Sequence, residues 1–242
     1  MRFLDISYPE PETNLALDEV ILDSVEEGRA QAVFRLWESP ETFVVIGSGQ
    51  RYRQVVHYFN CLRDKIPVMR RCSAGGAVVQ GPGCLNFSLV LRYDYCSEVA
   101  DLHGSYEFLL GKVIEALAGV GIKAQRAGIS DLVVDGLKVS GNAQRRRRFS
   151  CLHHGTLIYQ PQYDKMSRYL LEPDDRPEYR GQRIHREFVG VLDNTTPEAL
   201  RTALQQGFAP GIEATMPTPE EEQAVTRLMR TKYGSKDWTF RR

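Results

Sequence analysis

The sequence predicts a single mixed α+β domain, on three observations. Short segments rich in β-branched and aromatic residues alternate with segments whose apolar residues recur at helical spacing. A two-residue Asp135-Gly136 link joins two apolar runs near the middle of the chain, the strongest short-range signal for an antiparallel hairpin. No repeat, low-complexity tract or long linker interrupts the chain, and 242 residues at 42% hydrophobic content suffice for one proper core.

The elements follow in order. Asn14 to Glu27 sets Leu15, Leu17, Val20, Ile21 and Val25 near one helical face, with Thr13 as its cap and Gly28 as its stop. Ala32 to Trp37 and Thr42 to Ile46 read as buried strands. After Arg53 a short helix containing Val55, Val56, Tyr58 and Phe59 leads to a strand at Pro67 to Arg71, and Leu85 to Leu91 alternates as a strand does. Tyr106, Leu109, Leu110, Val113, Ile114 and Leu117 define the clearest helix, stopped by Gly119 and Gly121. The hairpin pairs Leu132-Val133-Val134 with Leu137-Lys138-Val139. Gln144 to Ser150 is expected as a loop and Cys151 to Tyr159 as the next strand. Two helices close the chain, Pro197 to Phe208 and Pro219 to Tyr233, each with a threonine cap (Thr196, Thr218) and proline at the first helical position.

Composition narrows the function. The 31 basic residues balance 31 acidic ones, so no global field draws the protein to nucleic acid or an anionic membrane. Pro9 and Pro11 with their glutamates interrupt any N-terminal signal segment, and no run is long enough to span a bilayer. The five cysteines are scattered without paired ligand spacing, which fits a reduced, cytoplasmic setting and gives a zinc site no support.

The chemistry concentrates in Arg70-Arg71-Cys72-Ser73-Ala74-Gly75-Gly76-Ala77-Val78. Two glycines alone could merely turn the chain. The arginine pair before them, the Ser73 hydroxyl and the second turn Gly81-Pro82-Gly83 before Asn86 favour an anion held by guanidinium groups and bare backbone amides. The pattern is not that of a P-loop, so simple nucleotide hydrolysis is disfavoured. Lys138 could be an ordinary solubilising lysine, but Val139, Ser140, Gly141 and Ala143 beyond it are small or apolar and suit a sheet facing a ligand. A lysine there can offset the charge of a mixed anhydride and of its transition state. His153 and His154 point to opposite faces of their strand, so one is expected at the pocket, followed by Gly155 and Thr156.

These segments carry a resemblance. Asn14-Leu15-Ala16-Leu17-Asp18-Glu19, Val44-Val45-Ile46-Gly47, the Arg70 to Val78 loop, Leu85-Asn86, Asp131-Leu132-Val133-Val134, Lys138 to Ala143 and His153-His154-Gly155-Thr156-Leu157 occur in the order found in lipoate-protein ligases and their octanoyltransferase relatives. The resemblance spans nearly the whole chain. It implies the catalytic domain shared with biotin ligases, a mixed β-sheet flanked by helices, here as one domain over 1–242 without the accessory domain of longer ligases. It also implies ATP-dependent attachment of lipoate to a lysine of a lipoyl carrier protein or lipoyl domain, through an acyl adenylate, with Mg²⁺ bound to the ATP. A separate accessory-domain protein is a possible partner. Lys138 would contact the adenylate throughout. The binding set would be Arg70, Arg71, Ser73, Ala74, Gly75, Gly76, Ala77, Val78, Asn86, Asp131, Ser140, Gly141, Ala143, His154, Gly155 and Thr156. Asp131 would orient the adenosine side or the ATP-bound cation, though an aspartate at a strand edge also serves as a turn residue.

Departures keep two rivals open. Ala74 stands where relatives usually have a first glycine, and Gln80-Gly81-Pro82 where they often have histidine and aspartate. Relatives that transfer octanoyl groups without ATP use a cysteine, in some branches just before the Asp-Leu-Val strand, where this chain has Ala127-Gly128-Ile129-Ser130. A thioester route would have to recruit Cys151, two residues from His153, or less readily Cys72, yet a buried inert thiol is the commoner state of such residues. The other rival is a scaffold that binds the carrier without chemistry. The Arg145 to Arg148 run is expected either as a solvated hairpin crossing or as an approach to the triphosphate or an acidic carrier.

Overall fold

The structure is a computed structural model describing residues 1–241. Among the described residues ten strands form two sheets. The larger sheet has seven strands in the order β1 (Arg2–Asp5), β2 (Val33–Trp37), β6 (Cys84–Arg92), β10 (Ser150–Ile158), β9 (Leu137–Arg146), β8 (Asp131–Val134) and β7 (Gln125–Ala127). Only β1 and β2 run parallel, and every other neighbour is antiparallel. The smaller sheet places β3 (Phe43–Ile46) between β4 (Val68–Arg70), parallel to it, and β5 (Val78–Gln80), antiparallel.

Three apolar clusters hold the layers. One face of the large sheet, with Phe34, Leu36, Phe87 and Leu89, packs on α4 (Leu102–Ala118) and α7 (Pro197–Phe208). Its other face packs on α1 (Pro11–Glu26), which also meets Phe43 and Val45 of the small sheet. The alternate residues Val44 and Ile46 turn to a third cluster with α5 (Tyr163–Tyr169) and α6 (His185–Phe188), as the two-residue period of a strand requires. The mixed sheet flanked by helices is thus the architecture the sequence indicated.

Local chemistry explains the elements that were read correctly. Asp135 and Gly136 both take positive φ (49° and 76°), the tight two-residue turn that suits the twist of a hairpin. Asp101 caps α4 by accepting from the Gly104 amide at 2.6 Å, and Thr196 and Thr218 cap α7 and α8 (Pro219–Leu228). Beyond α8 the chain continues through a wide turn, Met229–Tyr233, to α9 (Lys236–Phe240). α2 (Tyr58–Arg63) and α3 (Ser97–Ala100) are short.

Boundaries differ where tertiary contacts decide. α1 begins at Pro11 rather than Asn14, because proline at the first position needs no amide partner. Thr13 is therefore inside the first turn, its hydroxyl 3.0 Å from Met229 Sδ, and does not cap. Val55 and Val56 lie outside the short helix after Arg53. Val56 instead bridges to Leu170. β9 runs on through Arg146, so the expected loop from Gln144 shrinks to Arg147–Phe149. Among the described residues no helix is long and apolar enough to cross a membrane.

Candidate active site

Strand register builds the site. Asp131 pairs with Gly141, Gly141 with Thr156, Thr156 with Asn86, and Asn86 with Trp37. One row across five strands therefore shares a face, and all five residues line a cleft. Two residues along each strand the next row reads Ala143, His154, Ser88 and Arg35. Ala143 and His154 also line the cleft, whereas Arg35 and Ser88 bind the buried Asp18 carboxylate of α1 at 2.6 and 2.8 Å. That buried ion pair fixes α1, whose Leu15 reaches the cleft wall.

The cleft has two joined compartments. The inner one, about 150 Å³, lies among Leu15, Trp37, Val45, Arg71, Asn142, Ala143 and His154. The outer one, about 220 Å³, is walled by Val55, Ile158, Met166, Leu170, Pro173, Phe188 and Val189, with Asp175, Arg180 and His185 at its polar edge. Gly76, Ala77, Val78, Gln80, Asp131, Lys138, Gly141 and Thr156 border both.

Lys138 lies at this junction, its Nζ 2.9 Å from Asp131 Oδ1 and 6.0 Å from the centre of the Phe188 ring. The amine folds over Gly141, where an added Cβ would come within 3.0 Å of Nζ. Beside it Gln80 Nε2 donates to Thr156 Oγ1 (2.9 Å), Thr156 donates to Asn86 Oδ1 (2.9 Å), and Asn86 Nδ2 donates to Gln80 Oε1 (3.0 Å), a closed ring of uncharged side chains.

The glycine loop is shaped from within. Arg71 donates to Ser73 Oγ and to the carbonyls of Ala74 (2.6 Å) and Gly76 (2.9 Å). Carbonyl and N–H of one planar trans peptide point oppositely, so the amides of Gly75 and Ala77 face away from the guanidinium. Burial pulls the Arg71 pKa down to about 10, which leaves it charged at neutral pH. Gly75 has φ 94°, and Gly47 sits so close beneath that an added Cβ would lie 2.1 Å from the Gly75 carbonyl oxygen. Ser73 Oγ is 2.6 Å from His154 Nε2. Desolvation first, then Arg71 and His153, push the His154 pKa down to about 3, so the imidazole is neutral. His153 faces the opposite core between Phe87 and Tyr106, its Nδ1 3.2 Å from Gln144.

Four of the expected site residues are not on the cleft wall. Arg70 is fully buried and donates to the carbonyls of Gly47, Ser48, Gln50, Trp238 and Thr239, a clamp between the loop's base and α9. Ser73 and Ser140 are fully buried, and Ala74 presents its carbonyl to Arg71. The Arg145 to Arg148 run does not approach the cleft. Arg146 binds the Val99 and Ala100 carbonyls and Arg147 binds Asp23, five or more residues along the hairpin from Gly141 and Thr156. Trp37, Gln80, Asn142 and Tyr179 were not anticipated. For Trp37 and Gln80 a signal existed: Trp37 follows Arg35 by one strand period, and Gln80 stands at the position singled out as a departure.

No cysteine lines either compartment. Burial raises the thiol pKa of Cys151 and Cys61 to about 11, and of Cys72 and Cys84 to about 12. Cys151 lies in the core against α4, on the far side of the sheet from the glycine loop. Among the described residues no group of three or more His, Cys, Asp or Glu could hold a metal ion.

The mixed sheet carries a glycine loop, a hairpin lysine and a two-part cleft whose walls are apolar and whose junction holds the Lys138–Asp131 ion pair, the layout of a small-molecule catalytic domain. Residues 10–209 match the family model described as the lipoyl protein ligase A/B catalytic domain, and the chain belongs to that family. Among curated relatives, the lipoate-protein ligase LplJ of Bacillus subtilis is 27% identical over 253 residues, covering 100% of this chain and 74% of LplJ. The octanoyltransferase LipM of Geobacillus kaustophilus is 24% identical over 273 residues, covering 100% of this chain and 98% of LipM. Among solved structures, the bipartite lipoate-protein ligase of Thermoplasma acidophilum, described with its E2 lipoyl domain, superposes with a TM-score of 0.85 at 25% identity, covering 99% of this chain and 95% of the other. A lipoate-protein ligase A bound with ATP superposes equally well, TM-score 0.85 at 24% identity, with 99% and 98% coverage. The protein is thus an enzyme of the lipoate ligase and octanoyltransferase family.

Proposed function

We propose that this chain attaches lipoate to a lysine of a lipoyl carrier domain in two ATP-dependent steps. The observation that carries the reading is the makeup of the cleft wall: a lysine amine stands where the two compartments meet, and among the described residues no thiol lines it to form a thioester. The acyl tail occupies the inner compartment against Leu15, Trp37, Val45 and Ala143. The adenosine lies in the outer one, among Met166, Leu170 and Phe188.

In the first step a lipoate carboxylate oxygen attacks the α-phosphorus of ATP, supplied as its magnesium salt. A carboxyl–phosphate anhydride forms and pyrophosphate leaves. Both reactants are anionic, so the barrier contains a large repulsion that a fixed cation lowers. Lys138 supplies that cation, and the amides of Gly75 and Ala77, turned outward by Arg71, add neutral donors. The uncharged Gln80, Asn86 and Thr156 ring accommodates the head without adding a competing charge. In the second step the carrier lysine, as the free amine, attacks the anhydride carbonyl. AMP leaves with the bonding pair, and the new amide loses a proton. Lys138 again stabilises the oxygen that gains charge.

Two structural relatives support these components: a lipoate-protein ligase A bound with ATP, and a bipartite lipoate-protein ligase with its E2 lipoyl domain. In this reading residues 1–242 act as one catalytic domain, and a separate accessory-domain protein is a candidate partner. The test incubates the purified chain with ATP, lipoate and a lipoyl domain, with and without such a protein. The expected products are AMP and the lipoylated domain, with Cys151→Ala unimpaired and Lys138→Ala reduced by about 10²-fold or more, as for loss of a group that stabilises charge in the transition state. Acyl transfer from an octanoylated carrier without ATP, abolished in Cys151→Ala, would establish the transferase reading instead.

A further inference from the structure

We infer that Tyr179 is a positioning residue for Lys138, acting through Asp131. The inference deepens the ligase reading, since it rests on Lys138 being the cation at the reacting carboxylate.

The Asp131 carboxylate is held at both oxygens: Oδ1 by Lys138 Nζ at 2.9 Å, and Oδ2 by the Tyr179 hydroxyl at 2.6 Å. Asp131 is only 7% exposed, so few waters can replace either partner. Two anchored oxygens fix the plane of the carboxylate, and that plane sets where a lysine on four flexible methylenes places its amine. Without the hydroxyl, the carboxylate is free to turn about its terminal torsion, and the amine follows.

Tyr179 is itself over-determined. It lies on a single 3₁₀ turn, Glu178–Arg180, far along the chain from the hairpin. Its ring packs against Phe188 at a 45° tilt with centroids 5.3 Å apart, the same ring that lies beneath the Lys138 ammonium, and rests over Gly128, where an added Cβ would be 3.4 Å from Tyr179 Cε1. Arg183 donates to the Tyr179 carbonyl (2.6 Å) and to the Gly136 carbonyl (3.0 Å), joining this turn to the hairpin that carries Lys138. The Gly190 amide donates to the Lys138 carbonyl at 2.9 Å from the same segment. The outer wall of the cleft and the lysine are therefore one framework, with the phenol as its link to the charge.

Tyr179→Phe keeps the ring packing and removes only the hydroxyl. The expected result is an adenylation kcat about tenfold lower with KM for lipoate unchanged, the scale of one lost charge-assisted hydrogen bond. In an Asp131→Asn background the same change should cost nothing further, because its route through the carboxylate is already broken. In the ligand-free protein, labelling of Lys138 by acetic anhydride, read by mass spectrometry, should rise about threefold once the amine is less held. Wild-type labelling and wild-type kcat in Tyr179→Phe would overturn the inference. So would a loss of equal size in the Asp131→Asn background, which would show that the phenol acts by a route other than the carboxylate. Should the wild-type chain form no adenylate, the ligase reading falls, and the labelling contrast alone decides the role of Tyr179.

Discussion

Arg70 shows how much a residue's role depends on what lies near it. In sequence an arginine pair before a glycine loop reads as a fork for an anion, because a guanidinium is always charged and no neighbouring residue in the sequence claims its donors. In the fold, acceptors from Gly47, Ser48 and Gln50 on one side and Trp238 and Thr239 on the other converge on Arg70, while Arg71 is turned onto its own loop. Arg70→Met should therefore lower stability by roughly 2–4 kcal/mol, since several buried carbonyls lose a charged donor, and should leave KM for lipoate unchanged. Urea midpoints beside lipoate kinetics check this, and unchanged stability with a raised KM would restore the ligand role. What was legible at this scale was that the loop is special. The acceptors for Arg70 come from segments up to 169 residues away, and no local pattern announces them. Lys138 was more readable because its surroundings are its sequence neighbours: the Asp135-Gly136 turn, Gly141 and the small residues after it.

Elements were legible in proportion to how local their causes are. The Asp-Gly hairpin, the Pro197 and Pro219 starts and the Asp101-capped helix rest on contacts within a few residues, and each appears close to where the pattern sets it. α5 and α6 have only two buried residues each, too few to show a period, and β7 has no buried residue at all. β9 extends through arginines because Arg146 and Arg147 find distant partners on α1 and beside α4. β10 carries the clearest electrostatic consequence. Its adjacent His153 and His154 face opposite sides, yet burial pushes both pKa values down from 6.5 to about 3. The unfolded chain therefore binds more protons than the folded one between these values, so stability is complete above pH 6.5 and falls as pH drops below it. From pH 7 to pH 5 the pair should cost roughly 2–4 kcal/mol, at up to about 1.4 kcal/mol per pH unit for each ring, with the smaller share from His154, which is part-buried on the cleft wall. Unfolding free energies measured by urea across that range test it. A flat profile would mean that both rings take up protons as readily in the folded protein as in the unfolded chain.

At the scale of the whole molecule, the end of the chain secures the site from behind. Lys232 places its ammonium 2.6 and 2.7 Å from the two oxygens of Glu19, Tyr233 donates to the same carboxylate at 2.7 Å, and the Lys232 ammonium lies 4.1 Å from the centre of the Trp238 ring. Trp238 Nε1 then donates to the Arg70 carbonyl at 2.8 Å, immediately before the glycine loop. The first helix, the last helix and the loop thus share one anchor, although neither helix holds a residue of the anionic junction. Trp238→Ala removes a large side chain, the cation's partner ring and one donor, and should cost roughly 1–3 kcal/mol, below the range for a core tryptophan because Trp238 is only part-buried. Part of that loss should be local. Amide exchange, read by mass spectrometry, should quicken over 70–77. It should stay unchanged at the far hairpin turn, where Glu26 holds the amides of Arg148 and Phe149 independently. Equal acceleration at both ends would show the anchor to be part of one cooperative unit, and no acceleration at 70–77 would show that the loop stands without it.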